Sequence, residues 1–294
     1  MDQMDQMMRR LFCLTAAAAL SSAMAADVTA PSMGYVVSPD GLELRAMLGV
    51  PGAARFSAPI ALPEGTVAAE VAPGHAWVLA KRSNGLVAFQ PADGTVYELA
   101  AALPASWAFS PMGARMALWY PDRGEVVLLN GLPENAKIVR TVKLAEAPDS
   151  LALSDAGAFV FTAGNRILDS GGGLIFEGAS SVAFETGGDL LVASNGSSVV
   201  EINIGDGGKR LVTEGLDGVD RLFADGKLVY AGNSAAGLVS LIGLADRSVT
   251  SRNVAVSRII PSAMQGTVLV SYDMDGPAWL VNGQGVSFVP AVVR

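Results

Sequence analysis

Strand-length apolar runs, turn dipeptides between them and a repeat near 38 residues predict an all-β fold. The specific expectation is a single β-propeller of four-stranded antiparallel blades, seven in number, with six blades and a decorating hairpin as the alternative. The runs are four to seven residues long, which is strand length. Between them stand Pro39-Asp40-Gly41, Asn84-Gly85, Asp93-Gly94, Asn195-Gly196, Gly205-Asp206-Gly207-Gly208 and Asp225-Gly226. Such pairs supply the positive φ angles of tight hairpins.

The repeat is read from six anchors, Val71, Phe109, Leu153, Phe184, Phe223 and Pro261, each followed by a small or acidic turn and a stronger apolar strand. A four-stranded blade needs about 40 residues. It cannot bury both faces alone, so blades stack around an axis. The stretch from Ala26 to about Pro63 is one further blade length. Within it Gly34–Gly41 and Leu42–Leu48 make a hairpin.

The N-terminus reads as an export signal. Arg9 and Arg10 precede a short apolar run, Leu11–Leu20, and Ala23-Met24-Ala25 has the small-x-small pattern of a cleavage site. Residues 1–25 are therefore expected to be a cleaved signal peptide and residues 26–294 the propeller, in a periplasmic or secreted protein. Asp2 and Asp5 are unusual in such a signal and point to a start at Met7 or Met8. The run is too short to anchor in a bilayer, which takes about 20 apolar residues.

Of the 294 residues 51% are hydrophobic and 16% are charged, against about 25% charge in a typical globular chain. That composition excludes disorder. A net charge of −8 argues against nucleic acid, whose phosphates call for a basic patch. The one cysteine, Cys13, lies inside the signal, so the processed chain has neither thiolate chemistry nor disulfides.

Val37-Ser-Pro-Asp-Gly41, Phe109-Ser-Pro-Met-Gly113 and Leu153-Ser-Asp-Ala-Gly157 resemble the Ser-Pro-Asp-Gly turn of the bacterial YVTN-type and TolB-like propeller repeats. The resemblance implies the propeller fold and a binding scaffold, and it carries no activity.

The chemistry available is sparse. His75, the lone histidine, sits in a Pro-Gly-His turn and is expected to be solvated, so that His75→Ala would leave folding nearly unchanged. Without a second histidine or a cysteine no zinc or copper site is expected, and no cofactor. Asp273 and Asp275 alternate as calcium ligands do, but the loop lacks the further acids of an EF-hand. Gly171–Gly173 and Gly205–Gly208 lack a following helix and read as turns rather than phosphate cradles. There is no Gly-x-Ser-x-Gly elbow.

The loops between second and third strands are the better candidates, since in propellers they share a face with the blade connections. They hold Lys81, Arg82, Asp122, Arg123, Asn165, Arg166, Asn195, Asn233, Asp273 and Asp275. Arg, Asn and Asp there could hydrogen-bond a protein, peptide or glycan, although Asn and Asp are also ordinary turn formers. A binding module is the expected function. The alternative is a carboxylate-based hydrolase or lyase acting on glycans in the central channel. Clustered acids and aromatics at the channel mouth would favour the enzyme.

Overall fold

The computed structural model describes residues 31–264, 266–271 and 277–290, so the proposed signal peptide and the Asp273–Asp275 pair lie outside the described residues. Residues 32–290 form an all-β unit of seven antiparallel sheets with no helix among the described residues, and none long and apolar enough to cross a membrane. The sheets are blades 1 to 7, spanning residues 32–56, 66–100, 106–143, 150–177, 181–214, 221–253 and 260–289. Every sheet is built from consecutive strands.

Alternation places one hydrophobic face of each sheet against the next blade, and seven clusters of buried side chains result, one at every seam. Ala72, Leu86 and Met116 join blades 2 and 3. Trp119, Leu128 and Phe161 join blades 3 and 4. The ring closes where Met33, Val36 and Met47 of blade 1 meet Leu269, Leu280 and Val289 of blade 7. Seven blades, rather than six with an added hairpin, is the architecture.

The six anchors read from the sequence all lie at or near the ends of the innermost strands, such as Thr66–Val71 and Ser106–Phe109. From there the chain turns into the second strand on what we term the turn face. On the opposite, connector face, blade-to-blade segments meet the second-to-third hairpins: the Gly164 N–H donates to Asp149 Oδ2 at 2.6 Å, and the Ala179 N–H to the Asn165 carbonyl at 2.7 Å.

Blade 1 departs from the pattern. Six sheets have four strands, whereas blade 1 has three described strands, Ser32–Val37, Leu44–Leu48 and Arg55–Phe56. The Met33 carbonyl accepts hydrogen bonds from Ser262 Oγ (2.8 Å) and the Ala263 N–H (3.1 Å), both in a turn-face hairpin of blade 7. A Cβ on Gly41 would lie 3.1 Å from Ala68 Cα, in the connector-side half of blade 2's innermost strand. Ser32–Val37 thus runs from the turn face towards the connector face, opposite to the innermost strands of the other blades. It holds a second-strand position, and the place of the innermost strand beside it has no described strand.

The Ser38-Pro-Asp-Gly41 turn closes like its relatives. Ser38 N–H donates to the Glu43 carbonyl and Gly41 N–H to the Ser38 carbonyl, as Ser110 N–H does to Arg115 and Gly113 N–H to Ser110. Yet it joins a second strand to a third. Turn chemistry is local and does not say which strands it connects: the turns at Ser110 and Ser154 join first strands to second, and this one, closing the hairpin expected from the sequence, joins a second to a third.

Candidate functional site

Of the ten residues singled out in the sequence, the eight that are described do not converge. Asn195 Oδ1 accepts from the N–H and hydroxyl groups of both Ser197 and Ser198, so its acceptor is used in shaping its own turn. Asn233 is buried, donating from Nδ2 to the Asp217 carbonyl (2.7 Å) and accepting from the Ala236 N–H (2.8 Å). Arg166 pairs with Glu146 at 2.8 Å and Arg82 with Glu98 at 3.3 Å. Lys81 is half-buried, Asn165 is exposed, and Asp122 is exposed beside Arg123, whose guanidinium lies 4.9 Å from the Tyr120 ring. These are turn-building and rim-pairing roles.

His75 is the clearest correction. Its ring is buried, not solvated. Nδ1 accepts the Tyr35 N–H of blade 1 at 3.2 Å, and Nε2 contacts the Pro261 carbonyl of blade 7. Since Nδ1 accepts, the proton is on Nε2 and donates to Pro261, which is the neutral tautomer. Burial holds the imidazole below its ordinary pKa, and the two hydrogen bonds act against that shift. One turn residue of blade 2 therefore clasps blades 1 and 7. The sequence shows the histidine but not its surroundings, which come from two other blades.

The innermost strands line a channel cavity of about 230 Å³, walled by Phe109, Leu153, Phe184, Phe223, Ile260 and Pro261 among others. Among the described residues lining this cavity Glu70 is the one acid, and its Oε2 accepts from Trp107 Nε1–H at 2.7 Å. Burial pushes the Glu70 carboxyl above its ordinary range, while the Trp107 bond and Arg258 pull it down. Paired-carboxylate hydrolysis needs two acids flanking one bond, and among the described residues lining this cavity Glu70 stands without a second.

At the turn face the channel opens into a second concavity of about 210 Å³, formed by Pro111, Met112, Phe223, Pro261 and Met264 with Asp225 at its edge. Met112 is 61% exposed. Apolar surface of this kind, concave and rimmed by polar groups, is what a binding site presents. It drew no notice in the sequence because its residues are contributed one or two at a time by blades 3, 6 and 7.

No family model matches the sequence, and no curated protein does. Solved structures match well. A chain in the crystal structure of the mitotic checkpoint complex superposes with a TM-score of 0.53 at 13% identity, covering 75% of this chain and 78% of that one. The WD40 repeats of RRP9 give 0.52 at 11% identity, covering 79% and 83%. Hydrazine synthase of Kuenenia stuttgartiensis gives 0.50 at 13% identity, covering 91% and 97%. The likeness is one of fold. The chain is a seven-bladed β-propeller with WD40-like neighbours.

Proposed function

We propose that the protein is an exported binding module that takes a protein or peptide partner at the turn-face mouth of its channel. The observation that carries this reading is the apolar concavity around Met112, Phe223 and Met264. Such a surface suits an apolar side chain of a polypeptide better than the hydroxyls of a glycan, and Asp225 beside it offers an acceptor for a partner's N–H. One structural neighbour belongs to a multiprotein complex, in keeping with a role in assembly. Export rests on Arg9, Arg10, the Leu11–Leu20 run and the Ala-x-Ala site.

Met112→Asp tests the site. Placing a charge in an apolar contact costs a partner its desolvation there. A polypeptide captured by the native chain from an extracytoplasmic extract should be lost with Met112→Asp and kept with Arg123→Ala on the opposite face. Capture that survives Met112→Asp, or fails with Arg123→Ala, overturns the reading.

A further inference from the structure

A cleft of about 680 Å³ opens on the turn face between blades 5 and 6. Leu190, Leu228 and Leu244 give it apolar walls. Its charged lining is three acids, Glu185, Glu201 and Asp246, against two bases, Arg210 and Lys227, so with all of them ionised one positive charge is wanting. Three of these groups are accounted for. Arg210 donates to Glu201 and to the Leu244 carbonyl (3.2 Å). Asp246 accepts from the N–H and hydroxyl of Ser248 (3.1 and 2.9 Å), within its own turn. Lys227 is exposed at the rim and makes no ion pair among the described residues. Glu185 is left over. It is 7% exposed, and its Oε1 has no hydrogen-bond partner among the described residues. Its backbone is pinned, since the Glu185 N–H donates to the Leu190 carbonyl (2.9 Å) and the Thr186 N–H to the Ala224 carbonyl of blade 6 (3.3 Å). A carboxylate buried without a partner costs a fold stability, and costs of that kind gather at binding sites.

We propose that this cleft takes an alkylguanidinium ion, as an arginine side chain presents, with its charge against Glu185 and its methylene stem along Leu190, Leu228 and Leu244. A guanidinium is weakly hydrated and forks onto a carboxylate, which suits a buried acceptor. A methylene stem covers apolar walls while its charged head finds the acid. A metal ion suits the cleft less well, since no three acids among the described residues group closely enough to hold one. The ion comes either as a free guanidinium compound or as an arginine of a polypeptide. The cleft is lined by other residues than the mouth around Met112, so the two readings fail separately.

The probe is n-butylguanidinium, titrated into the full-length chain at pH 8 by NMR. Saturable shifts should appear at Leu190, Leu228 and Leu244. Neutral n-butylurea, of nearly the same shape, should bind the native chain about tenfold more weakly, the scale of one charge-assisted contact. Glu185→Gln should weaken n-butylguanidinium to the level of n-butylurea, with a melting temperature no lower than that of the native chain. Arg123→Ala, on the opposite face, should leave binding unchanged. Arginine blocked as its N-acetyl methylamide separates the sources: binding equal to n-butylguanidinium assigns the cleft to a polypeptide side chain, and exclusion assigns it to a free compound. Absence of saturable binding overturns the proposal. So does n-butylurea binding equally well, or n-butylguanidinium binding that survives Glu185→Gln.

Discussion

The seam between blades 3 and 4 and the two seams of blade 1 solve the same packing problem differently. At the first, Phe159 and Phe161 stack with centroids 6.2 Å apart among Trp119, Leu128 and Leu168, a broad apolar contact with exposed hydrogen bonds at its margin, from the Met112 N–H to Asp155 (2.9 Å) and from Arg140 to Ser170 (3.1 Å). Blade 1 offers a smaller sheet and softer fillers, Met33 and Met47. It adds a polar clasp from outside itself, the His75 ring joining Tyr35 and Pro261. Both kinds of seam bury apolar area, and the irregular one adds a concentrated, buried polar contact at the His75 ring. A concentrated contact is also one that a proton can disturb.

The largest effect is expected at the broad seam. Phe161→Ala empties a fully buried aromatic site and should lower stability by about 3–5 kcal/mol. In urea the midpoint should fall with little change of slope. A loss below about 1 kcal/mol would show that area is not what holds that seam.

His75→Ala should come next, at about 2–4 kcal/mol, because it leaves the Tyr35 N–H and the Pro261 carbonyl without partners and opens a void. The sequence alone, taking His75 for a surface turn residue, expects about 0.5 kcal/mol or less. The pH dependence has a definite sign. With its pKa lowered in the fold, the imidazole binds fewer protons folded than unfolded, so its stabilisation is intact above 6.5 and lost as pH falls below it. Glu185 titrates alike in both proteins, so the difference in melting temperature between the native chain and His75→Ala should shrink as pH falls from 7.5 to 5.

Glu185, at the turn-face end of the seam between blades 5 and 6, sharpens the comparison by failing where His75 succeeds. It is buried, and its Oε1 has no hydrogen-bond partner among the described residues. Desolvation, then the nearby Glu201, push its carboxyl up to about 7, against the opposing pull of Arg210. A raised carboxyl holds its proton in the fold, so stability falls as pH climbs from 4.5 to about 7 and stays reduced above. Glu185→Gln should therefore stabilise the protein by about 1–2 kcal/mol at pH 8 and leave it unchanged at pH 4. Equal melting temperatures at pH 8 would mean that the carboxylate is better solvated than its burial implies.

Most of the architecture was legible because propeller blades write a period into the chain. The anchors from Val71 to Pro261 recur since each ends an innermost strand. The hairpin of blade 1 was legible but its strand positions were not, because the Ser38-Pro-Asp-Gly41 turn has the same internal hydrogen bonds as the Ser110 turn, whichever strands it joins. The rim residues were found by their turn chemistry, and that chemistry is what occupies Asn195 and Asn233. Met112, Phe223 and Met264 could not be grouped from the sequence, because their proximity is created only when the ring closes.

Because every blade is made of consecutive strands, nothing in the described chain knits its first blade to its last by a shared sheet. Under tension applied at Ser32 and Pro290 the molecule should behave as a split washer rather than a welded ring. Its first mechanical event would be opening beside blade 1, and the remaining blades would peel away one after another from that gap.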